Sequence, residues 1–531
     1  MANGKIKFIM IQGTSSSAGK SALTAGFLRY FSIKGIDCSP FKSQNMSLNS
    51  FVTEDGFEIA VSQAVQSEAA FKKPLMQMNP ILIKPSSDNE MHLIVEGKHF
   101  GNMDFKQYNA RKNFFLKKAT CSFEFLAGKN ELIIAEGAGS PAEINLFKYD
   151  IANMGFAEVY DIPVILAADI ERGGVFASLY GTVRLLPPKW RRLVKGFIIN
   201  KFRGDASILE PGIKQIENKL KIPCLGVVPH IQNLHIEAED SLNFKSPGIN
   251  AEIKSTRKSA EQKINIGIVR LGHISNFNEF DPLFFDERLA VRFFEYVPTK
   301  TGEFDMVIIP GSKSTVADLT AVKKSGIFDY IRRFSKRGIV MGICGGFQMM
   351  GERITDPHNL EPSASAGHDS GCGIRGFGFF KTETELHKEK ILVNQKYKLK
   401  INGESSEHFL RGYEIHNGRT FFSKDYKGEN IGTRILEPAS YEGGGFSPEA
   451  GILSEDNKKI GTYIHGLFGN EIFKDFVVEL INKNIHSRGL KLKPGTVIRS
   501  YETVKNDSFN LLSENIERHI NTKLLRKIIG I

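Results

Sequence analysis

Residues 6–30 read IKFIMIQGTSSSAGKSALTAGFLRY, and this segment indicates the fold of the first half of the chain. Its apolar start, residues 6–12, predicts a buried strand, and residues 22–30 have the pattern of a helix. Small residues at such a turn let backbone N–H groups surround phosphates, a lysine neutralises them, and a hydroxyl can bind Mg²⁺. The residues that fit these roles are Gly13, Thr14, Gly19, Lys20 and Ser21. The sequence therefore predicts a nucleotide-binding loop, with Ser21 also a metal ligand.

The spacing of this loop narrows the choice of relatives. Five residues separate Gly13 from Gly19, where the common P-loop has four, so Thr14 occupies the usual first-glycine position. This lengthened loop resembles that of dethiobiotin synthetase and of the cobyrinic and cobyric acid amide synthases. MinD and ParA-type ATPase switches carry a signature lysine where this chain has Ser15. The absence of that lysine argues against a dimerising switch.

Short apolar runs alternate with helical patterns along the chain, which is typical of an α/β fold with buried parallel strands. The runs are residues 131–135, 162–168, 195–200 and 224–228 in the first half, and 264–269, 306–309 and 338–343 in the second. Between the two series, residues 246–263 are polar and poor in large apolar side chains, which indicates a linker. The predicted parts are a P-loop domain at 1–245, the linker at 246–263, a second α/β domain at 264–482 and a basic tail at 483–531.

Composition and charge exclude several classes of protein. With 531 residues, 41% of them hydrophobic and 24% charged, the chain suits a multidomain globular protein rather than a disordered or collagen-like one. The net charge of +11 is diffuse, apart from the tail at 483–531, which carries ten basic and four acidic side chains. We expect that tail to be a solvated helical face, with attraction of an anionic substrate or nucleic acid as the alternative.

The cysteines and the apolar runs bear on the compartment. Five scattered cysteines without a C-x-x-C pair favour a reducing cytoplasm over a disulfide framework or a zinc site. No apolar run reaches the roughly 18 residues of a membrane span, and residues 5–12 read as a strand rather than as a signal peptide. A cytoplasmic protein without a membrane span is the expectation.

Three polar residues follow predicted strands of the first domain. Lys42 comes just after a second strand, where a cation would hold a carboxylate and a migrating phosphoryl group; the alternative is a surface lysine. Glu136 follows the run 132–135, at a strand end where Mg²⁺ ligands of such folds lie, or is simply solvated there. Asn200 closes another strand, either to hydrogen-bond a nucleotide base or to form a turn.

The second domain carries a different signal. Its run at 339–343 leads into Cys344, which has glycines on both sides at Gly342 and Gly345 and is followed by a helical pattern. Such an elbow exposes the thiol and directs a helix N-terminus at it, which favours the reactive thiolate. Folding must bring a base to the thiol, and His465 in the stretch 461–468 is the candidate. The sequence therefore predicts a nucleophilic cysteine paired with a histidine.

Four long stretches now make the resemblance specific. They are FKSQNMSLN at 41–49, NPILIKP at 79–85, ADIERGGVFA at 168–177 and SNFNEFDPL at 275–283. In this order they resemble the signatures of the cobyric acid synthase family, the glutamine-hydrolysing amide synthases of cobalamin biosynthesis. The resemblance implies a dethiobiotin-synthetase-like P-loop domain followed by a class I glutamine amidotransferase-like, flavodoxin-like α/β domain.

The resemblance also implies roles for further residues. Gly345, together with Gly311 or Ser312, would form the oxyanion hole with backbone N–H groups, and Gln348 would help to hold glutamine. Glu58 would be a second metal or substrate contact beside Glu136. Ordinary members of the amidotransferase class have a glutamate two residues after the histidine, but this chain has Leu467 there, as expected of the cobyric branch, so the group that orients the histidine is left open.

The implied reaction needs glutamine, ATP, Mg²⁺ and a corrinoid, and no nucleic acid. The cysteine–histidine site would release ammonia from glutamine, and the P-loop domain would phosphorylate corrinoid side-chain carboxylates for amidation. The family substrate is adenosylcobyrinic acid a,c-diamide, amidated at positions b, d, e and g. Two alternatives are the sister a,c-diamide synthase and a nonenzymatic nucleotide-dependent switch with a dead glutaminase. The stretches 43–46 and 412–417 argue against the first, and retention of Cys344 and His465 argues against the second.

Overall fold

The computed structural model describes residues 6–85, 91–232, 234–237, 263–298, 303–361, 373–401, 404–423, 432–439, 451–484 and 499–531. These residues form two compact units. The first comprises Met1–Thr53, Phe57–Glu239 and Glu502–Ile531, and the second consists mainly of Asp240–Tyr501. The predicted linker lies outside the described residues except for Lys263, so the boundaries at 245, 263 and 482 stay predictions.

The first unit alternates strands and helices along most of its length. In chain order its elements are β1 (Lys7–Gly13), α1 (Lys20–Ile33), β2 (Cys38–Phe41), β3 (Gln44–Met46), β4 (Ser50–Val52), β5 (Glu58–Ala60), α2 (Val61–Ala69), β6 (Ile81–Pro85), β7 (Met91–Val95), β8 (Lys98–Met103), α3 (Phe105–Ala110), α4 (Lys112–Ala127), β9 (Leu132–Glu136), α5 (Met154–Val159), β10 (Val164–Asp169), α6 (Val175–Leu185), α7 (Pro188–Arg191), β11 (Val194–Phe202), α8 (Glu210–Leu220) and β12 (Cys224–Pro229).

Six of these strands form a parallel sheet in the order β12-β11-β10-β1-β9-β2. The apolar runs predicted as strands in the first half become β1, β9, β10, β11 and β12, within two residues at each end. Their side chains are buried on both faces of the sheet, in two hydrophobic clusters. Because all six strands run the same way, the residues that follow their carboxyl ends gather along one edge of the sheet.

Two smaller sheets complete the strand pairing of this unit. One has the order β3-β6-β7-β8, and the other pairs β4 with β5. Both begin within ten residues of Phe41, the last residue of β2, so the segment after the predicted Lys42 is held by strand pairing rather than left as a surface loop.

The C-terminal tail is not the solvated face that its charge suggests. It contains α14 (Tyr501–His519) and α15 (Thr522–Ile529), and from Glu502 onward it belongs to the first unit. Its apolar side chains are buried in the core beside α1 and the sheet: Phe509, Leu512, Ile516, Ile520, Leu525 and Ile529. The N–H of Asn521 donates to the carbonyl of Leu225, on β12. The expectation was wrong because apolar residues spaced for one helical face outweigh the exposed charges between them.

The second unit also alternates strands with helices. In chain order its elements are β13 (Ile264–Val269), α9 (Asp281–Phe284), β14 (Leu289–Phe294), β15 (Met306–Ile309), α10 (Thr315–Lys324), α11 (Ile327–Phe334), β16 (Ile339–Ile343), α12 (Gly345–Met350), β17 (Arg353–Thr355), β18 (Ile374–Arg375), β19 (Thr382–Ile401), β20 (Glu404–Phe422), β21 (Thr433–Arg434), β22 (Leu436–Pro438), β23 (Ile452–Leu453), β24 (Lys459–Thr462), β25 (Ile464–His465) and α13 (Glu471–Asn484).

Its main sheet has the order β14-β13-β15-β16-β24-β23-β21, and the first five strands are parallel. Numbered along the chain, those five have the order 2-1-3-4-5, which is that of flavodoxin-like folds. The long hairpin of β19 and β20 belongs to a separate sheet, which ends at β25. The predicted flavodoxin-like second domain is confirmed.

None of the helices in the described part of the chain combines the length and apolarity that a membrane crossing requires.

Candidate active sites

The predicted nucleotide loop joins β1 to α1 at the carboxyl edge of the first sheet. Gly19 has φ of 87°, and a Cβ there would lie 2.3 Å from Nδ2 of Asn200, so only glycine fits this position. The ammonium of Lys20 donates to the carbonyls of Ser15 at 3.1 Å and of Gly139 at 2.9 Å. The loop therefore curls around the lysine, as expected of a loop that surrounds phosphates.

Lys42 and two of the three predicted metal ligands, Ser21 and Glu136, come together. Nζ of Lys42 lies 2.9 Å from Oε1 of Glu136, and the Ser21 hydroxyl donates to the same oxygen at 2.9 Å. Gln66 donates to the second carboxylate oxygen. The side chains of the lysine and the glutamate are only 3% and 0% exposed, so this charge pair is shielded from water. Such pairs interact more strongly than surface pairs do.

Strand register explains why residues so distant in sequence meet here. Glu136, the last residue of β9, is paired with Ile11 of β1, two residues before the nucleotide loop. On the other side of β9, Ala135 is paired with Phe41, the last residue of β2. Lys42, which follows β2, and Ser21, in the first turn of α1 after β1, therefore approach the glutamate from the two sides of β9.

The donor set suits Mg²⁺ only in part. The Ser21 hydroxyl and the Glu136 carboxylate are the hard oxygen ligands that Mg²⁺ prefers, and this ion usually completes its shell with phosphates and water. No group of three or more His, Cys, Asp or Glu side chains in the described ranges could hold a metal by itself. Glu58 lies 2.6 Å from Nζ of Lys84 and accepts a hydrogen bond from Ser50 at 2.8 Å.

Asn200 lies beside the nucleotide loop, where its amide nitrogen donates to the carbonyl of Ala18 at 3.0 Å. The next residue, Lys201, has φ of 61° and directs its ammonium to the carbonyl of Ser17 at 2.7 Å and to Asp169 at 2.9 Å. This pair of side chains ties the end of β11 to the loop. A base contact by Asn200 stays a prediction.

The cysteine elbow of the second unit has the strained backbone that the sequence predicts. Cys344 follows β16 with φ of 50° and ψ of −110°, and α12 begins at the next residue. Glycine is needed around it because a Cβ at Gly346 would lie 1.9 Å from the carbonyl oxygen of Ile309. Cys344 is buried, with 6% of the residue exposed, and its thiol donates to the carbonyl of Ile415 at 3.7 Å.

The loop after β15 meets this elbow. A Cβ on Gly345 would lie 2.8 Å from the backbone nitrogen of Ser312, and a Cβ on Gly311 would lie 3.2 Å from Cε1 of His465. The backbone donors proposed for an oxyanion hole are thus adjacent to both the elbow and the histidine. Backbone N–H groups gathered in this way can stabilise negative charge on a carbonyl oxygen under attack.

Gln348 lies one helical turn beyond the thiol and is buried. Its side-chain oxygen has no hydrogen-bond partner among the described residues, and buried amide oxygens normally have one. A Cβ on Gly418 would lie 2.3 Å from Nε2 of Gln348. Both observations fit a side chain that faces a polar ligand such as glutamine.

His465, the predicted base, is fully buried at the end of β25. Its Nδ1 lies 3.0 Å from Oε1 of Glu279, and the N–H of Gly466 donates to Oε2 at 3.4 Å. Burial lowers the pKa of His465, but the carboxylate of Glu279 and the neighbouring thiol of Cys344 outweigh it and raise this pKa to about 10. The negative charge next to the ring therefore favours the imidazolium over the neutral imidazole.

The other histidine of interest, His416, is engaged elsewhere. Its Nδ1 donates to the carbonyl of Gly418 at 2.7 Å, and its Nε2 faces Oε2 of Glu414 at 3.3 Å. Its ring stacks on Tyr463 with centroids 3.7 Å apart. Both ring nitrogens of His416 are therefore engaged, so neither is left to take a proton from the thiol.

Comparison with known proteins assigns each of the two units to a family of domains. Residues 9–243 match the model of the CobQ/CobB/MinD/ParA nucleotide binding domain, and residues 265–473 match that of the CobB/CobQ-like glutamine amidotransferase domain. The cobyric acid synthase of Clostridium tetani is 38% identical over 528 residues, which cover 99% of each chain. That of a Thermoanaerobacter species is 40% identical and covers 98% of each chain. That of Listeria welshimeri is also 40% identical, over 99% of this chain and 97% of its own.

The chain belongs to the cobyric acid synthase family. It is therefore an enzyme of amidation in cobalamin biosynthesis, a ligase that contains a glutamine amidotransferase domain, and its nucleotide-binding domain indicates use of ATP. The predicted family and the predicted fold class are confirmed.

Three residues that contact the predicted site residues are not predicted from the sequence. Gln66 holds Glu136, Lys201 holds the nucleotide loop, and Glu279 holds His465. The polar face of α2 could have indicated Gln66, and the position of Lys201 next to Asn200 could have indicated Lys201. Glu279 lies inside the quoted signature SNFNEFDPL, but nothing in that stretch indicates which residue it contacts.

Proposed function

We propose that this chain converts the b, d, e and g side-chain carboxylates of adenosylcobyrinic acid a,c-diamide to amides, giving adenosylcobyric acid. ATP activates each carboxylate and glutamine supplies the nitrogen. The observation that carries the proposal is the meeting of Lys42, Ser21 and Glu136 next to the nucleotide loop. A buried cation and an acid next to a nucleotide loop support the transfer of a phosphoryl group from ATP at this site.

In the proposed ligase step, a carboxylate oxygen of the substrate attacks the γ-phosphorus of ATP, and ADP leaves. Lys20 and Lys42 lie where they would offset the negative charge on the transferred phosphoryl group and on the carboxylate. Ammonia then attacks the carbonyl carbon of the acyl phosphate. The C–O bond to phosphate breaks, phosphate leaves with the bonding electrons, and loss of a proton from nitrogen gives the amide.

Mg²⁺ supplies charge neutralisation at the phosphate oxygens when it is bound. Ser21 and Glu136 would hold it, and Glu58 is proposed as a second metal or substrate contact. Gln66 would keep the Glu136 carboxylate oriented through its hydrogen bond. Gly13 and Gly19 would offer backbone N–H groups to the phosphates, and Asn200 would contact the base. The N–H of Thr14, which the sequence places in the same role, instead donates to the carbonyl of Ala167 at 2.9 Å.

In the proposed glutaminase step, the thiolate of Cys344 attacks the amide carbon of glutamine. The oxyanion is held by backbone N–H groups near Gly311 and Gly345, and Gln348 contacts the substrate. The imidazolium of His465 gives its proton to the departing nitrogen, so ammonia leaves and a thioester remains. Water then attacks the thioester with His465, now neutral, as the base, and glutamate is released.

Mass spectrometry of the corrinoid product tests the proposal. Adenosylcobyrinic acid a,c-diamide is incubated with the protein, MgATP and glutamine, and cobyrinic acid is offered in a parallel reaction. We expect the stepwise mass change of OH replaced by NH₂ at four positions of the diamide, and none when ATP is omitted. Amidation of cobyrinic acid at two positions, with the diamide left unchanged, would instead assign the sister activity.

A further inference from the structure

The histidine of the glutaminase site has a carboxylate partner from an unexpected part of the chain. Glu279 lies on a short 3₁₀ helix, Phe277–Phe280, after β13, and is 186 residues before His465 in sequence. Its side chain is 3% exposed and that of the histidine 1%. Leu467, where related amidotransferases carry their glutamate, is 1% exposed and apolar. No carboxylate is therefore available at that position.

The surroundings hold this carboxylate in one place. One oxygen accepts from Nδ1 of His465 and the other faces the N–H of Gly466, so both oxygens are engaged at the end of β25. The short helix is anchored by Phe280, which is 0% exposed and lies 6.2 Å from the ring of Phe468. A buried, doubly held carboxylate has little freedom to turn away from the imidazole.

This contact decides what the imidazole can do. A carboxylate at Nδ1 requires a proton on that nitrogen, which leaves Nε2 as the nitrogen that serves the thiol. Nε2 of His465 is buried and makes no direct hydrogen bond to the residues that the structure describes. The negative charge of Glu279 also favours the imidazolium, and an imidazolium next to Cys344 stabilises the thiolate.

We propose that Glu279 is the positioning carboxylate of the glutaminase site, supplied by the segment after β13 in place of the residue two positions after the histidine. The proposal rests on the proposed roles of Cys344 and His465. Glu279 completes a cysteine, histidine and glutamate set whose members lie in the segments that follow β13, β16 and β24, three parallel strands of the main sheet. It touches no substrate and acts through the imidazole.

The test compares Glu279→Gln with Glu279→Asp and with a matched control, Glu414→Gln. Glu414 is also buried and also faces a histidine, His416, but that histidine is not the base. The first readout is the rate of alkylation of Cys344 by iodoacetamide from pH 5 to 10, followed by peptide mass spectrometry. This resolves Cys344 from the exposed Cys121.

We expect the wild-type thiol to react rapidly at neutral pH. In Glu279→Gln the imidazolium loses its carboxylate, so the pH of half-maximal alkylation rises by at least about one unit. The second readout is glutamine hydrolysis, for which kcat falls by about a hundredfold or more while KM stays within about twofold. Glu279→Asp keeps the charge on a shorter side chain, so it keeps the wild-type pH profile and recovers part of kcat.

The outcomes separate this proposal from the function on which it rests. If wild-type Cys344 shows no enhanced alkylation and no glutamine hydrolysis, the glutaminase assignment itself fails. If wild type is reactive and Glu279→Gln behaves like it, or if Glu414→Gln shifts the profile equally, the role of Glu279 is overturned. Should Glu279→Gln not fold, Glu279→Asp decides, because an unchanged kcat in that variant contradicts a positioning role.

Discussion

Replacing Ile516 with alanine is expected to destabilise the nucleotide-binding unit, although this residue lies at the far end of the chain. Ile516 is 2% exposed on α14, and its Cγ1 lies 3.2 Å from the position that a Cβ on Gly26 would take, so it packs directly on α1. Removing a buried isoleucine side chain costs about 2–5 kcal/mol. That lowers the ratio of folded to unfolded unit by about 30-fold to a few thousandfold, since 1.4 kcal/mol is about tenfold.

The chain offers a probe that reports on this unit alone. Its only tryptophan, Trp190, is buried in the core of the first unit, so the change of its fluorescence in urea follows the unfolding of that unit. The matched control is Arg518→Ala on the same helix, whose side chain is 71% exposed and pairs with Glu514. We expect that control to change the free energy of unfolding by no more than about 0.5 kcal/mol.

The two variants must therefore differ clearly in the urea concentration at the midpoint. Equal midpoints for Ile516→Ala, Arg518→Ala and wild type would refute the reasoning, because they would show that the tail contributes no packing to the core. A lower midpoint for Ile516→Ala with glutaminase activity retained would show that the loss is confined to the nucleotide-binding unit.

Three further predictions concern the two sites. Cys344→Ala should lose glutamine-dependent amidation but keep amidation with added ammonia, because only the nitrogen source is removed; loss of both activities would contradict the division of labour. Gly418→Ala should raise KM for glutamine by about tenfold or more, since a Cβ there displaces Gln348, whereas Gly469→Ala, which meets nothing within 4 Å, should leave KM unchanged. Lys42→Met should abolish ammonia-dependent amidation and leave glutamine hydrolysis intact, and equal loss of both rates would contradict its proposed role.

Many of the strands and both motif loops of this protein can be predicted from local sequence. The apolar runs that predict strands became β1, β9, β10, β11 and β12 and the parallel strands of the second unit, because a strand buried on both faces needs an unbroken apolar run. The nucleotide loop and the cysteine elbow can also be predicted from local sequence, because their glycines are required by the backbone conformation of a few neighbouring residues. Gly19 and Cys344, the residue before α12, have the positive φ that such turns require.

The contacts that sequence could not supply are the long-range ones. The apolar face of α14 was visible as a pattern, but which unit it would cover depends on where the chain returns after the second unit. The contact of Gln66 with Glu136 depends on how α2 lies against the sheet edge. In both cases a side chain finds a partner whose distance along the chain is unrelated to its distance in space.

Local sequence is enough to predict a P-loop unit and a cysteine-elbow unit, in that order, with the motifs of one family. The carboxylate next to His465 and the unit that the basic tail joins become known only from the folded chain. Both have the same cause. Motifs encode backbone geometry over a few residues, whereas Glu279 and Ile516 act through packing and charge that exist only once distant segments are brought together.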